Sequence, residues 1–143
     1  MSKAKRYFLS LDEELDFDVV GITSHQPDYK LVWNINSSLA LHLKKDGKDL
    51  LIYNEKKDTE LEFPFYFFEH QLNRVGYFLM KNKNELDYLI PEAPTIDYFF
   101  FLTNNHIIDV DELTNHLRTV DSILGAFIFD NQKFKSFQYL EFN

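Results

Sequence analysis

Residues 90–102, with the sequence IPEAPTIDYFFFL, constrain the fold more than any other stretch of the chain. Pro91 and Pro94 fix φ near −65° and donate no backbone hydrogen bond, so residues 90–95 cannot form a helix. The residues that follow are β-branched and aromatic and include no glycine, which is typical of a packed strand. We therefore predict a strand over residues 96–103.

Both faces of this strand are apolar. Because side chains alternate across a strand, its residues divide into two sets. The sets are Ile96, Tyr98, Phe100 and Leu102 on one face and Asp97, Phe99 and Phe101 on the other. Strands that are apolar on both faces usually lie inside a sheet, with cover above and below. The pattern therefore predicts a central strand.

Two segments have the periodicity of helices. Residues 27–39 open with a proline, which the first turn of a helix tolerates, and Ser24 or Gln26 is the candidate cap. The broad apolar stripe of this helix includes Trp33, which we predict to lie in the core. The second helix follows Asp109, which precedes a glutamate by the three-residue spacing of a capping box.

The remaining apolar segments predict further strands. These are residues 17–23, 41–43, 50–53, 61–70, 75–81, 124–129 and 134–142, with an edge strand or short helix at residues 7–11. Adjacent strands with only two helices favour an α+β fold over a doubly wound parallel sheet. We expect residues 1–143 to form a single α+β domain. Its sheet is mainly antiparallel, with two principal helices and a C-terminal βαβ unit.

The chain has more apolar strand surface than two helices on one face can cover. It contains fifteen Phe, eight Tyr and one Trp. The other face needs a covering segment of the chain or a second subunit, and exposed apolar patches usually mark interfaces. Our hypothesis is a homodimer or a partner-binding module that uses a sheet face or the strand edge at Pro64. The candidate interface residues are Phe63, Phe65, Phe67, Tyr66 and Phe68.

Charge and composition exclude several classes of function. Fifteen basic and twenty-three acidic residues give a net charge of −8, which disfavours nucleic acid as a partner. The chain has no cysteine and therefore no thiolate metal site or cysteine nucleophile. The N-terminal residues lack the apolar stretch of a signal peptide, and the longest apolar runs are too short to cross a bilayer. We expect a cytoplasmic protein that does not bind membranes.

Ile90, Pro91 and Glu92, followed after three residues by Ile96, Asp97 and Tyr98, resemble the defining motif of the IPExxxVDY family. Ile96 stands where the family name has Val, a conservative difference. The resemblance implies a small cytosolic protein from Bacteroidetes-type bacteria whose function is uncharacterised. It supplies no catalytic residues.

Glu92 and Asp97 are the acidic residues of most interest. In one interpretation they form an acid–base pair beside the aromatic strand. In the other, which we favour, Asp97 accepts backbone N–H groups where the strand begins, and Glu92 does the same in the proline turn. Histidine spacing and glycine distribution match no metal or phosphate-binding motif, so we assign no catalytic, cofactor or metal residue.

Three classes of function remain open. The two-faced aromatic strands favour a non-catalytic interaction protein. A regulatory domain that binds a small ligand is the alternative, because the C-terminal βαβ unit resembles ferredoxin-like sensor modules in element order. An enzyme with a carboxylate-based site is the third, although the sequence contains no motif for one.

Overall fold

The computed structural model describes residues 16–54 and 58–142, and these contain eight strands and two α-helices. The strands are β1 Phe17–Thr23, β2 Asp49–Asn54, β3 Thr59–Glu69, β4 Gly76–Lys81, β5 Lys83–Asn84, β6 Asp87–Tyr88, β7 Tyr98–Thr103 and β8 Gly125–Phe129. The helices are α1 Asp28–Leu39 and α2 Val110–Leu117, and a 3-10 helix follows at Lys135–Tyr139. The element predicted at residues 7–11 lies outside the described residues.

Six strands form one sheet in the order β2-β3-β4-β7-β1-β8. Every neighbouring pair is antiparallel. The strand β7 lies between β4 and β1, so the central position predicted from its two apolar faces is confirmed. The other two strands, β5 and β6, form a separate two-stranded ribbon.

The connections define two interlocked strand–helix–strand units. Both β7 and β8 are antiparallel to β1, which lies between them, so β7 and β8 run parallel to each other. Both β1 and β4 are likewise antiparallel to β7, which lies between them, so β1 and β4 run parallel to each other. With the β2–β3 hairpin as an insertion, the order is βαββαβ, which is the ferredoxin-like arrangement. The predicted α+β class, with a mainly antiparallel sheet, two helices and a C-terminal βαβ unit, is confirmed.

Both helices pack on the same face of the sheet. Leu31, Val32 and Ile35 of α1 and Leu117 of α2 are buried there. They contact the strand residues that point to this face, which include Val20, Ile22, Phe100 and Leu102. We call this side the helix-covered face.

The opposite face, which we call the second face, is covered by two segments of the same chain. The first is the segment of residues 89–97, which we call the proline loop; it contributes Leu89, Ile90, Ala93 and Ile96. The second is the C-terminal segment, which contributes Phe134, Phe137, Leu140 and Phe142. Of the two covers that the sequence analysis left open, the structure has the covering chain segments. This face therefore needs no second subunit as its cover, and the homodimer hypothesis stays a prediction.

The predicted strand at residues 134–142 is replaced by the 3-10 helix Lys135–Tyr139 and its flanks. Phe134, Phe137 and Leu140 recur every third residue, and a 3-10 helix with three residues per turn brings such residues onto one side. Phe137 is fully buried, with its ring centroid 6.0 Å from that of Phe99 and 6.4 Å from that of Phe101. A strand would instead have placed polar residues between these rings on the buried face.

Three local predictions also need correction. Ile96 lies on the face of Phe99 and Phe101 because its N–H bonds Ala93 O in a turn and regular alternation begins only at Tyr98. The cap position of α1 is Pro27, with no side-chain hydrogen bond, and neither Ser24 nor Gln26 occupies it. Residues 41–43 form no strand; the residue that follows them forms a single bridge to β3.

The N-terminus of α2 agrees with the sequence. The side chain of Asp109 accepts hydrogen bonds from Asp111 N (2.9 Å) and Glu112 N (3.3 Å). These bonds satisfy two of the N–H groups that a helix leaves unpaired at its start, which is why this short helix begins there.

Candidate functional site

The predicted motif, residues 90–98, forms a loop across the second face of the sheet. Ile90 and Ile96 point into the core, whereas Pro91, Glu92 and Asp97 are exposed. The structure thus divides the motif into apolar residues that cover the sheet and acidic residues at the surface.

Asn82, the residue after β4, attaches this loop to the sheet. Its side-chain amide donates to Ala93 O at 2.8 Å and to Ile96 O at 2.9 Å, and its side-chain oxygen accepts from Ile90 N at 2.8 Å. Its own N–H donates to Asp97 O at 2.9 Å. The side chain is completely buried. Asn82 could not be predicted from the sequence, because no local pattern separates it from the other polar residues of this segment.

The two acidic residues of the motif bind main-chain N–H groups of different segments. Asp97 Oδ2 accepts from Ser24 N at 2.9 Å, at the end of β1. Glu92 Oε2 accepts from Ser136 N at 3.0 Å, at the start of the 3-10 helix. The favoured interpretation of Asp97 as a structural carboxylate agrees with this contact. Glu92 has the expected type of partner, but in the C-terminal segment rather than in the proline turn.

Tyr98 joins the loop to the start of α1. Its hydroxyl donates to Gln26 O at 2.6 Å, and its side chain is only 3% exposed. Burial raises the pKa of Tyr98 to about 12, and the negative charges of Asp28 and Asp97 add to the effect. The hydroxyl is therefore a hydrogen-bond donor at neutral pH.

The five β3 residues predicted as an interface do not form an exposed patch. Phe63 is 1% exposed and belongs to the core, so it cannot contact a partner in the folded chain. The other four are half-buried: Phe65 and Phe67 on the second face, Tyr66 and Phe68 on the helix-covered face. Their role in an interface stays a prediction.

Pro64 marks the point where β3 changes partner. It pairs with Asp49 of β2, and the pairing with β4 begins one residue later, at Phe65. On the β4 side Pro64 therefore lies beyond the ladder, which fits the edge position that its missing N–H predicts.

Two aromatic side chains of α1 are exposed instead. Tyr29 is 68% exposed and Trp33 is 69% exposed. The prediction that Trp33 lies in the core is wrong. At about 100° per residue, Trp33 lies about 200° around the helix from the fully buried Leu31, which the breadth of the stripe concealed. We call Tyr29 and Trp33 the aromatic flank of α1.

Contacts on the two sides of α1 show which way the aromatic flank faces. On one side the Asn34 amide bonds the Ser122 hydroxyl, and Ser38 Oγ lies 3.1 Å from His116 Nε2 of α2. On the other side Asn36, two turns after Tyr29, bonds the backbone of Leu43. The flank thus faces away from α2 and towards β3 and residues 41–45.

Two lysines follow residues 41–43 on this side of α1. Lys45 Nζ lies 5.7 Å from the centre of the Tyr66 ring, and Tyr66 interacts with Asp28, the first residue of α1. Lys44 pairs with Phe67 of β3. Residues paired in a β-bridge point to the same face, so the Lys44 side chain lies on the side of Phe67, whereas Lys45 lies on the side of Tyr66, on the helix-covered face.

An open cleft of about 600 Å³ lies where β1 and β4 end and β7 begins. Its walls include Lys81, Lys83, His25, Asp97 and Tyr98. This volume is in the range of small-molecule sites. Both positive and negative side chains line the cleft, so it combines groups of opposite charge beside the motif.

A second cleft, between the β2–β3 hairpin and the β5–β6 ribbon, is acidic. Asp49, Glu60, Glu62, Glu85 and Asp87 line it. In residues 16–54 and 58–142, however, no three His, Asp or Glu side chains are grouped closely enough to hold a metal ion. No helix in this part of the chain is long and apolar enough to span a membrane.

Fold and surface together define a small α+β domain with ferredoxin-like order, an inserted hairpin and an exposed aromatic helix flank. Comparison of the chain with protein-family models, with curated proteins and with solved structures found no match.

Proposed function

We propose that this chain is a non-catalytic protein-interaction module that binds its partner through the aromatic flank of α1. The observation that carries this proposal is the exposure of Trp33 and Tyr29 on one side of a helix whose opposite side is fully buried. We further propose that the chain is a cytoplasmic bacterial protein of the IPExxxVDY family, on the motif of residues 90–98.

The physical reason is the area of the two rings. A large aromatic side chain brings on the order of 150–250 Å² into a contact and loses little conformational entropy when it does so. Trp and Tyr are enriched among the residues that dominate binding energy in interfaces. Residues four apart on a helix lie about 5–6 Å apart between Cβ atoms, so a partner can cover both rings at once.

Site-specific photo-crosslinking tests the proposal. p-Benzoylphenylalanine replaces Trp33 in one variant and Leu72, which is 89% exposed in a turn, in the control. Both variants are irradiated in living cells of the native host. We expect an adduct from position 33 and none from position 72. An adduct of twice 17.1 kDa identifies a second copy of the chain. No adduct at position 33, or equal adducts at both positions, would overturn the proposal.

The cleft beside Asp97 supports a second candidate function, a regulatory domain that binds a small ligand. Its opposite charges, contributed by Lys81, Lys83 and Asp97, suit a ligand that carries both charges. A thermal-shift screen with amino acids and nucleotides tests it, with Lys81→Ala/Lys83→Ala as the variant. A shift that the double variant loses supports this function, and a screen without any shift removes it.

A further inference from the structure

We infer that the cleft beside Asp97 binds a small amino acid. The ammonium group of this ligand enters an adjoining cavity lined by Asp28, Tyr66 and Tyr98, and its carboxylate binds Lys81. This inference rests on the second candidate function, ligand binding in the cleft, and adds the chemistry of the ligand. The interaction module does not depend on it.

The cavity has a volume of about 40 Å³ and lies between the start of α1 and the strands β3, β4 and β7. One water molecule needs roughly 10–15 Å³ of a cavity, so this one admits a group as small as an ammonium with its first methylene, but no ring. Lys81 and Tyr98 line both the cavity and the open cleft of about 600 Å³. The cavity therefore adjoins the cleft, and the rest of a ligand has room there.

The two hydroxyl groups that line the cavity have already used their hydrogens. Tyr98 donates to Gln26 O at 2.6 Å, and Tyr66 directs its hydrogen to the carboxylate of Asp28. A phenolic hydroxyl has a single hydrogen, so each of these oxygens can only accept a further bond. Asp28 accepts from Tyr29 N at 2.7 Å, which leaves its negative charge in place. The cavity thus offers acceptors and a negative charge, which suit a positively charged donor.

The groups around the cavity also act on one another. The Tyr98 hydroxyl interacts electrostatically with Asp28, Asp97 and Tyr66. Burial, together with these neighbours, raises the pKa of Tyr98 to about 12. The hydroxyl therefore stays protonated at neutral pH and keeps its hydrogen on Gln26 O, so its oxygen remains an acceptor.

Lys81 supplies the opposite charge where the cavity meets the cleft. Its side chain is exposed, and in the part of the chain that the structure describes it forms no ion pair. The ammonium of Lys83, in contrast, lies 5.6 Å from the centre of the Tyr88 ring. A carboxylate bound to Lys81 holds an attached ammonium close to Asp28. A ligand with a single charge would make only one of these two contacts.

A divalent metal ion suits the cavity less well. Such ions prefer several oxygen ligands that include more than one carboxylate. Of the described residues, Asp28 is the only carboxylate that lines the cavity. Water also donates hydrogen bonds, and it is the occupant that an ammonium group would displace.

Isothermal titration calorimetry of the full chain tests the inference. The probes are glycine, β-alanine and γ-aminobutyrate, which differ in the spacing between their two charges. Trimethylglycine is the matched control, because it keeps both charges but has no N–H donor. Acetate and methylammonium carry one charge each, and magnesium chloride tests a metal ion.

Two variants test the residues, and a third is their control. Asp28→Asn removes the negative charge of the cavity, and Lys81→Ala removes the exposed ammonium. Asp111→Asn is the matched control, since it removes an exposed acid from the first turn of the other helix. Circular dichroism confirms that all three variants fold.

We expect at least one of the three amino acids to bind with a dissociation constant of about 1 mM or below. Asp28→Asn and Lys81→Ala should each weaken this probe by at least about tenfold, because a charge-assisted hydrogen bond is lost in each case. Asp111→Asn should leave binding unchanged. Trimethylglycine, acetate and methylammonium should each bind at least about tenfold more weakly than the probe.

Several results would overturn the inference. These are no binding of any of the three amino acids up to about 20 mM, equal binding of trimethylglycine, tighter binding of magnesium, or equal losses in Asp28→Asn and Asp111→Asn. If the thermal-shift screen finds a ligand that Lys81→Ala/Lys83→Ala loses and Asp28→Asn binds unchanged, the ammonium site is wrong and ligand binding in the cleft stands. If the screen gives no shift at all, the second candidate function itself fails.

Discussion

The side-chain amide of Asn82 donates to the backbone oxygen of Ile96 at 2.9 Å, fourteen residues further along the chain. This bond and its two companions to Ile90 and Ala93 fix a proline-rich loop that has few backbone donors of its own. The loop covers one half of the second face of the sheet. A single buried amide therefore makes three of the hydrogen bonds that hold this cover on the sheet.

Replacing Asn82 with Ala should lower the free energy of unfolding by about 3 kcal/mol or more. The substitution removes these partners from the N–H of Ile90 and the oxygen of Ile96, and each such buried group costs about 1–3 kcal/mol. The oxygen of Ala93 loses one donor but still accepts from Ile96 N at 3.2 Å. Urea unfolding measures the change. The control is Asn84→Ala, whose bond to Glu62 O lies at the surface and should matter by less than about 1 kcal/mol. Equal losses would contradict this account.

Replacing Phe137 with Ala should destabilise the protein by about 3–5 kcal/mol, because the residue is fully buried among the rings of the second core. It should also increase binding of the dye ANS, since the C-terminal cover loosens. Phe127→Ala is the control, because that ring is 45% exposed on β8 and should cost much less. A neutral Phe137→Ala variant would mean that the C-terminal segment does not cover the sheet in solution.

Replacing Tyr98 with Phe should remove part of the loss of stability at alkaline pH. The pKa of Tyr98 is 10.0 in the unfolded chain and is raised to about 12 in the folded protein, so the folded state holds the proton more tightly. The stability it contributes is complete below about pH 10 and is lost as the pH rises to about 12. The pKa values of Tyr66 and Tyr77 are also raised by burial. The free energy of unfolding of the variant should therefore still fall at alkaline pH, but less steeply.

Urea unfolding from pH 8 to 12 measures this difference. At pH 8 the variant should lose about 1 kcal/mol, for the hydrogen bond to Gln26 O. The two curves should then converge above pH 10. Parallel curves over the whole range would show that the pKa of Tyr98 is not raised by folding.

Replacing Gly21 with Ala should cost about 1–3 kcal/mol through overpacking. A Cβ on this residue of β1 would lie 2.5 Å from Phe129 Cε2 and 3.2 Å from Ile96 Cγ2. Thermal unfolding measures the loss, and the smaller side chain in Gly21→Ala/Phe129→Leu should restore part of it relative to Phe129→Leu alone. If the second substitution gives no relief, the contact with the ring is not the cause.

Replacing Trp33 with Ala should change the free energy of unfolding by less than about 1 kcal/mol, because the side chain is 69% exposed. The matched variant on the buried side of the helix is Ile35→Ala, which should cost about 2–5 kcal/mol. If Trp33→Ala lowered the free energy of unfolding as much as Ile35→Ala, Trp33 would lie in the interior, as the sequence predicted.

Local physical rules made part of the architecture predictable. The strand β7 is central because its alternating side chains are apolar on both sides. The helix α2 begins at Asp109 because the carboxylate satisfies free N–H groups within the next three residues. Such features depend on a few neighbouring residues and are therefore readable without the tertiary fold.

Other features depend on which segments meet in space. The periodicity of Phe134, Phe137 and Leu140 fits a 3-10 helix, but a segment of this length with alternating apolar residues also fits a strand. The second face of the sheet decides between them, because Phe134, Phe137, Leu140 and Phe142 of this segment cover it. For the same reason the breadth of the apolar stripe on α1 could not show that Trp33 is exposed.

Local sequence patterns were enough to predict the α+β class, the central aromatic strand and the start of α2, because each follows from interactions within a short stretch or from a repeat of two or four residues. The folded chain was needed to see how the second face is closed, that Asn82 holds the proline loop, that Asp97 binds Ser24 N, and which rings remain in water. Those outcomes are set by contacts between segments tens of residues apart, and no local pattern contains that information.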